Sequence, residues 1–117
     1  MGTELKIHII RNKKEIKKLI NSGKTFKTPN LIFHYFTDEN LIYDLQFLIS
    51  IPKKKIKLAV NRNYLKRVIK ECFYSKKNRC YKLNTKISFI VVYTKSSTIK
   101  YIKLEQEILS FLEKFRQ

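Results

Sequence analysis

The chain has 117 residues, enough for one hydrophobic core and too few for two, so we expect a single domain over residues 1–117. Apolar residues make up 44% of it, including eight Phe and seven Tyr, which argues against a disordered basic tail. Its 26 Lys and Arg against nine Asp and Glu give a formal charge of +17, which favours a polyanionic partner: nucleic acid first, with an anionic membrane or an acidic protein as alternatives.

The first helix is predicted from a capping signal followed by helical periodicity. Asn12 and Glu15 have capping-box spacing, with Asn in place of the usual Ser or Thr. Apolar residues then recur at helical intervals until Gly23, a residue type that is common at helix ends. We therefore expect a helix near residues 13–22.

Two stretches after this helix have the composition of β-strands. Residues 31–36 are apolar and aromatic, and after a polar turn at 38–40 the stretch 43–51 alternates apolar with polar side chains. Leu48 interrupts the polar half of that alternation. We therefore expect the second strand to be covered on much of both faces.

A lysine-rich loop leads into the second predicted helix. Residues 52–57 contain four lysines, and Asn61 has the side chain of a helix cap, so we expect a helix from there to about Ser75. On a helical wheel, one face is an apolar stripe and another is basic and polar. The apolar stripe consists of Leu65, Val68, Ile69, Cys72 and Phe73, and the other face carries Asn63, Lys66, Arg67 and Lys70. One side should enter the core while the other meets solvent or phosphate.

The remaining chain predicts one more strand and one more helix. A polar connection at residues 76–84 precedes a β-branched and aromatic run at 87–93, which predicts a buried strand. Apolar residues at helical spacing then predict a helix near 102–115. The element order is helix, two strands, a third strand or strand extension, helix, strand and helix. This αβββαβα order indicates an α+β fold with three helices packed on a small mixed four-stranded sheet.

Nothing in the sequence indicates a membrane span or export. No stretch reaches the roughly 20 apolar residues that cross a bilayer, and the N-terminus lacks the features of a signal peptide. Cys72 and Cys80 have no partners at metal-site spacing, and in a reducing compartment we expect two free thiols. The expected location is the cytoplasm.

The sequence contains no pattern that is typical of an active site. There is no glycine-rich phosphate loop, the carboxylates are few and scattered, and His8 lies far from His34 along the chain. We therefore expect no catalytic residue, no metal site and no bound cofactor in this chain.

The strongest chemical signal is a concentration of positive charge between Pro52 and Arg79. This segment holds eleven Lys or Arg residues and one acid, Glu71. Such density along a loop and one helix face suits a phosphate backbone. The alternative is an ordinary solvated helix face, but acidic residues at the spacing that would pair with these cations are nearly absent.

Aromatic residues of the first predicted strand allow two interpretations. Phe33, His34, Tyr35 and Phe36 follow one another, and rings on a sheet surface can stack unpaired bases. Alternation along a strand also places about half of these side chains in the core. For any one of them taken singly, core packing is the favoured interpretation.

Two neighbouring stretches resemble the signature region of the bacterial ribonuclease P protein family. They are Ser50-Ile51-Pro52-Lys53-Lys54 and the run Ala-Val-Asn-Arg-Asn-Tyr-Leu-Lys-Arg-Val-Ile-Lys-Glu-Cys-Phe from Ala59 to Phe73. The family shows a Ser-x-x-Lys-Lys element ahead of an Arg-Asn-Arg helix, which continues with Lys-Arg, a further basic residue and an aromatic. The order of the predicted elements extends the resemblance over roughly residues 5–116.

The resemblance implies a fold and an activity. The fold is the family's α-β sandwich, similar to a domain of a small-subunit ribosomal protein, with a left-handed βαβ crossover through the basic helix. The general rule for such crossovers favours the opposite hand. The activity is removal of the 5′ leader from precursor tRNA by an RNA-dependent endoribonuclease. Its RNA subunit, with bound Mg²⁺, performs the hydrolysis, and the protein binds that RNA and the leader.

The resemblance also assigns residues to the RNA contact. Those that match the family's paired lysines and basic helix are Lys53, Lys54, Arg62, Asn63, Lys66, Arg67 and Lys70. Two features depart from the family's pattern. Tyr64 replaces the second arginine of the Arg-Asn-Arg element, so its ring would stack where a phosphate contact is usual. The loop from Lys55 to Leu58 is one residue longer and lacks the usual glycine.

Family members bind the leader in a cleft between the basic helix and the sheet, using aromatics of the first helix and first strand. Ile16 and Ile20 stand here where phenylalanines are common, and His34 stands where a tyrosine is common. Together with Tyr64, these residues are assigned to the leader cleft. We expect weaker stacking there than is usual in the family.

The implied partners are the catalytic RNA subunit and precursor tRNA, bound by a protein monomer in a one-to-one complex. The rival interpretation is a structural RNA-binding protein, ribosomal or from ribonucleoprotein assembly, with no part in cleavage. A protein of the membrane surface would expose an apolar helix face, whereas we expect those faces to lie in the core.

Overall fold

Five strands and three helices are found in the part of the chain that this computed structural model describes, residues 4–75 and 82–117. In chain order they are β1 (Ile7–Ile9), α1 (Lys13–Ser22), β2 (Lys24–Lys27), β3 (Leu31–Thr37), β4 (Leu45–Ser50), α2 (Ala59–Tyr74), β5 (Ile87–Tyr93) and α3 (Tyr101–Glu113). The predicted bounds of α1 and β5 are confirmed. Part of the predicted polar connection, including Lys76, Lys77, Arg79 and Cys80, lies outside the described residues.

The sheet has five strands in the order β1-β4-β5-β3-β2, so the predicted count of four is wrong. The missing strand is β1, which pairs in parallel with β4 and places Ile7 beside Leu45. Three residues are too few to show a two-residue period, and β1 is a strand because β4 offers it a partner. Three strands, β2, β3 and β4, lie between the first two helices, as in the predicted order, and the observed order is βαβββαβα. The sequence stretches predicted as strands match β3 and β4, whereas Lys24–Lys27 of β2 was not among them.

The larger hydrophobic core lies between one face of the sheet and the helices α2 and α3. Odd-numbered side chains of β3, β4 and β5 point into it, and its rings pack closely. Phe33 stacks on Phe111 of α3 with centroids 4.1 Å apart, and Phe47 lies 4.7 Å from Phe73 of α2. The apolar helix faces predicted to enter the core are therefore confirmed, Cys72 included.

The opposite face of the sheet is covered by α1. Leu19 of this helix forms a second, smaller core with Ile10 and Ile90, against which Leu48 packs. Phe47 and Leu48 thus lie in different cores, so the prediction that β4 is covered on both faces is confirmed. The side chain of Asn12 caps α1 by accepting a hydrogen bond from the backbone N–H of Lys14 at 2.8 Å.

Helix α1 ends at Gly23, where the backbone comes close to a neighbouring strand. Gly23 has φ −80°, so no left-handed conformation requires a glycine here. A Cβ atom at this position would lie 2.6 Å from the carbonyl oxygen of Leu19 and 2.9 Å from that of Tyr35. The glycine therefore permits close packing of the end of α1 on β3.

Helix α3 is fastened to the β2–β3 connection through a buried carboxylate. Glu107 accepts hydrogen bonds from the Thr28 hydroxyl at 2.5 Å, the Asn30 backbone N–H at 2.7 Å and the Asn30 side-chain amide at 2.5 Å. These bonds satisfy a charged group that is costly to bury alone. Within residues 4–75 and 82–117, no helix is both long and apolar enough to cross a membrane.

Helix α2 connects two neighbouring parallel strands. β4 and β5 pair in parallel, with Leu45 opposite Ile87 and Ser50 opposite Val92. Parallel neighbours need a crossover, and α2 with its flanking loops supplies it. The loop that enters α2 therefore starts at the carboxyl end of β4, beside the loop that leaves the carboxyl end of β5.

Candidate nucleic-acid interface

The loop of residues 52–58, called the lysine loop below, is held by a turn and by one buried side chain. The backbone N–H groups of Lys55 and Ile56 donate to the carbonyl of Pro52 at 3.0 and 3.1 Å. Ile56 belongs to the main core, whereas Lys53 and Lys54, the two central residues of the turn, are exposed. An apolar anchor thus fixes the backbone from which the lysines project.

Helix α2 begins earlier than its sequence predicts. Its N-cap is Leu58, and Asn61, which was predicted to cap the helix, lies in the first turn, where its N–H donates to the Leu58 carbonyl at 3.1 Å. Burial of Ile56 fixes the end of the loop and overrides the capping preference of Asn61. No side chain caps α2 in the described structure. Its first N–H groups, at the positive end of the helix dipole, therefore lie beside the lysine loop.

An open cavity of about 640 Å³ lies at this helix start. Lys54, Lys55, Lys57 and Asn61 line one side, and Ser97 and Thr98, from the loop after β5, line the other. The two sides meet because β4 and β5 are adjacent and parallel. Ammonium groups and hydroxyls are donors suited to phosphate oxygens.

The exposed face of α2 continues the positive charge of the lysine loop. Asn63, Lys66, Arg67 and Lys70 are exposed, as the wheel predicts. Among the described residues, none of the three cations on this face forms an ion pair with a carboxylate. The positive field of this face is therefore not neutralised by those residues, which distinguishes it from a surface of paired charges.

Arg62 differs from the other cations because its guanidinium bonds to the protein itself. Its Nη1 donates to the backbone carbonyl of Ile56 at 2.9 Å and to that of Lys57 at 2.7 Å. The side chain is half-buried and ties the lysine loop to the first turn of α2. Its charge contributes to the interface, but its hydrogen bonds also shape the loop.

Tyr64, the departure from the family's basic pattern, lies on the solvent side of α2. Its side chain is 46% exposed, and the Arg67 guanidinium lies over its ring at 5.6 Å from the centroid. One turn further on, the Lys70 ammonium lies 5.8 Å from the ring of Tyr74. Rings and cations therefore alternate on this surface.

The four residues assigned to a leader cleft lie on two sides of the molecule. Ile16 packs partly against the smaller core, Ile20 is 59% exposed on α1, and His34 points to the same side of the sheet, with Nδ1 3.4 Å from the Thr25 hydroxyl. Tyr64 belongs to α2, which packs on the other face of the sheet. Ile16, Ile20 and His34 thus lie on the side of the sheet that α1 covers, called the α1 face below. Tyr64 lies on the other side.

His, Cys, Asp and Glu side chains do not cluster in the described residues. No group of three or more His, Cys, Asp and Glu side chains that could hold a metal ion is found among them. Burial raises the pKa of the Cys72 thiol to about 11, so this cysteine is a neutral thiol at physiological pH. What this surface offers is positive charge, hydroxyls and rings.

Comparison with known proteins identifies the family of this chain. The family model described as Ribonuclease P matches residues 6–116. The chain belongs to the ribonuclease P protein family. It is accordingly a subunit of the ribonuclease P endoribonuclease, in which the RNA carries the catalysis, and its RNA-binding role is in tRNA processing.

Similar proteins support this family membership along most of the chain. The ribonuclease P protein component of Mycoplasma mobile is 33% identical over 107 residues, which are 92% of this chain and 88% of that protein. The component of Borrelia turicatae is 31% identical, over 82% of this chain and 81% of its own length. The family resemblance of residues 50–73 is therefore confirmed.

Solved structures of ribonuclease P proteins have the same fold. The protein of Staphylococcus aureus superposes with a TM-score of 0.72 at 19% identity, over 91% of this chain and 92% of that one. The protein of Thermotoga maritima, in complex with 1-(4-fluorophenyl)-2-thiourea, superposes with a TM-score of 0.75 at 18% identity, over 92% and 99%. At these identities the comparison supports the fold alone.

One feature of the α1 face was not predicted from the sequence. The rings of His8 and Tyr43 stack with centroids 4.5 Å apart and planes within 9° of each other. The two residues are far apart in the sequence and meet because β1 pairs with β4. Without β1 in the predicted fold, no sequence signal could bring them together.

Proposed function

We propose that this protein binds the catalytic RNA of ribonuclease P through the lysine loop and the exposed face of α2. The contact residues are Lys53, Lys54, Arg62, Asn63, Lys66, Arg67 and Lys70. The observation that carries this assignment is the continuity of the loop lysines, the uncapped start of α2 and the unneutralised cations along the helix. Each cation that neutralises a phosphate releases counterions, which is the main source of affinity for nucleic acids.

The 5′ leader of precursor tRNA is bound on the α1 face. Ile16, Ile20 and His34 share this face, and Ile20 and His34 leave surface accessible beside α1. Tyr64 then contacts RNA from the α2 side, next to Arg67, instead of completing the same cleft. The leader is single-stranded, and unpaired bases bind proteins through stacking and apolar contact.

The remaining features of the proposal follow the family resemblance. The single domain acts as a cytoplasmic monomer, in a one-to-one complex with the RNA. Its β4–α2–β5 crossover is left-handed, as in the related ribosomal domain. The Mg²⁺ ions of the reaction are held by the RNA, and the protein itself binds no cofactor. The protein's own contribution is affinity and positioning.

The rival function is a structural RNA-binding protein with no part in cleavage. The same positive surface would serve it, so binding alone does not separate the two. Cleavage of a precursor tRNA by a bacterial ribonuclease P RNA at low Mg²⁺, with and without the protein, does separate them. Stimulation supports the proposal, and RNA binding without stimulation supports the rival.

A charge-matched pair of variants sharpens that experiment. Lys66→Ala removes one cation from the exposed face of α2, and Lys103→Ala removes one from an exposed position on α3. Both change the net charge equally, so a general loss of charge affects them alike. The proposal requires that Lys66→Ala reduce stimulation more than Lys103→Ala does. Equal effects would contradict the placement of the interface on α2.

A further inference from the structure

A second cavity lies at the β1 edge of the sheet, on the α1 face. Its volume is about 490 Å³, and it is open to solvent on one side. Its walls come from four parts of the chain: β1, the start of α1 with the residues before it, the connection from β3 to β4, and β4 itself. The side chains that matter below are His8, Arg11, Glu15, Asn40, Tyr43 and Gln46.

The aromatic pair His8 and Tyr43 forms one wall of this cavity. Their near-parallel rings at 4.5 Å have the geometry of a stack. Stacking occupies one face of each ring and leaves the other for a further ring. His8 is exposed and Tyr43 is half-buried. A planar, unsaturated ligand can therefore extend the stack inside the cavity.

The polar side chains of the cavity suit the edge of a nucleobase. The Gln46 amide is buried and donates to the Ser88 hydroxyl at 3.1 Å, which fixes its orientation. An amide carries a second hydrogen and an acceptor oxygen, and Asn40 adds another amide to the lining. Glu15 contributes a carboxylate, which repels phosphate but accepts hydrogen bonds from base amino groups.

The backbone around the cavity is held in place by hydrogen bonds. The Lys6 N–H donates to the Asp44 carboxylate at 2.7 Å, and the Asp44 N–H donates back to the Lys6 carbonyl at 2.9 Å. In the turn before Tyr43, the Asn40 N–H donates to the Asp38 carboxylate at 2.9 Å. The Lys86 ammonium donates to the Leu41 carbonyl at 2.8 Å. A ligand therefore meets a preformed site, which lowers the entropy cost of binding.

We propose that this cavity binds one unpaired nucleobase of single-stranded RNA, stacked on the His8 and Tyr43 pair. Arg11, an exposed residue of the cavity lining, can contact the adjoining phosphate. The cavity lies on the same sheet face as Ile16 and His34, so the strand that carries this base is the leader of the proposed function, on which this inference rests. The cavity gives the leader a defined base position in addition to the apolar surface of α1.

The test combines a protein variant with an RNA variant. Affinity of the holoenzyme for precursor tRNA is measured with an intact leader and with leaders that are abasic at one position after another. Loss of a stacking residue costs about 5- to 150-fold in affinity. We expect one abasic position to weaken binding by the wild-type protein to that extent, and to have little effect with Tyr43→Ala.

Two further variants separate stacking from folding. Tyr43→Phe keeps the ring and should bind like the wild type, whereas His8→Ala, at an exposed strand position, should weaken binding as Tyr43→Ala does. Tyr101→Ala removes an exposed ring from α3, on the opposite side of the sheet, and serves as the control. Melting temperatures identify any variant whose loss of binding reflects unfolding, and His8→Ala then carries the test.

The outcomes distinguish this inference from the function on which it rests. If the wild-type protein stimulates cleavage but no abasic position depends on Tyr43 or His8, the base site is refuted and the proposed function stands. If the wild-type protein does not stimulate cleavage at all, the proposed function itself fails. Equal losses for His8→Ala and Tyr101→Ala would likewise overturn the base site.

Discussion

The guanidinium of Arg62 lies 2.7 Å from the backbone carbonyl of Lys57, so the cation at the start of α2 holds the lysine loop in place. We expect Arg62→Ala to lower the free energy of unfolding by about 1.5–3 kcal/mol because the charge-assisted hydrogen bonds of the half-buried Nη1 atom are lost. RNA affinity should fall as well. Chemical denaturation and RNA binding, measured on the same preparation, check both effects. Unchanged stability would show that these bonds are not formed in solution.

Lys66 gives the contrasting case of an exposed cation with no role in the fold. Lys66→Ala should leave the melting temperature unchanged and weaken binding to RNAs of different sequence to a similar extent. The slope of log affinity against log salt concentration should fall by about 1 if Lys66 contacts one phosphate. If the slope for the variant equals that of the wild type, Lys66 does not contact a phosphate in the complex.

The salt dependence of the wild-type protein tests the size of the interface. Seven side chains are assigned to the RNA contact, and about 6–10 phosphate contacts correspond to a loss of roughly 10³- to 10⁵-fold in affinity between 50 and 200 mM salt. Filter binding to ribonuclease P RNA over that range measures it. A shallow dependence would contradict recognition through the phosphate backbone.

A substitution at Gly23 tests how closely the end of α1 packs on β3. In Gly23→Ala the new Cβ would lie 2.6 Å from the Leu19 carbonyl oxygen, so the end of the helix must shift. Such overpacking costs about 1–3 kcal/mol in unfolding free energy. Denaturation by urea measures the loss. A variant as stable as the wild type would show that α1 moves away freely.

The buried thiol of Cys72, on the core-facing side of α2, should make the unfolding free energy depend on pH. Burial raises the pKa of its thiol from 9.0, the value for an unburied thiol, to about 11 in the folded protein. The fold therefore favours the protonated form. This stabilising contribution is complete below pH 9 and is lost as the pH rises towards 11. Unfolding free energy should therefore fall less steeply over that range in Cys72→Ala than in the wild type. Parallel profiles would contradict the predicted shift.

The strongly periodic elements of this fold could be predicted from sequence. The bounds of α1 and β5 follow from helical spacing and from a β-branched run, and the buried stripe of α2 follows from its wheel. The number of strands and the start of α2 were predicted wrongly for the same reason. In both cases a contact with a residue distant in the sequence overrides the preference of the local sequence. β1 forms only by pairing with β4, and α2 starts at Ala59 because Ile56 is buried.

Of the candidate site, the sequence identified the exposed cations of α2 but not the separation of the cleft residues. Lys66, Arg67 and Lys70 are placed by a single helix, whose period the sequence reveals. Tyr64 belongs to a helix on one face of the sheet, whereas the His34 side chain points to the other face. The side of the sheet on which a helix packs depends on the path of the chain.

The sequence by itself determined the charge, the family and most of the elements, because these are local or compositional properties. Only the tertiary structure decided that Arg62 bonds to the lysine loop, that Ser97 and Thr98 face Lys54, and that His8 stacks on Tyr43. Each of these relationships joins segments whose proximity is set by strand pairing or by a buried anchor. The free energy that fixes them comes from the cooperative packing of the whole sheet and its two cores, which no local pattern encodes.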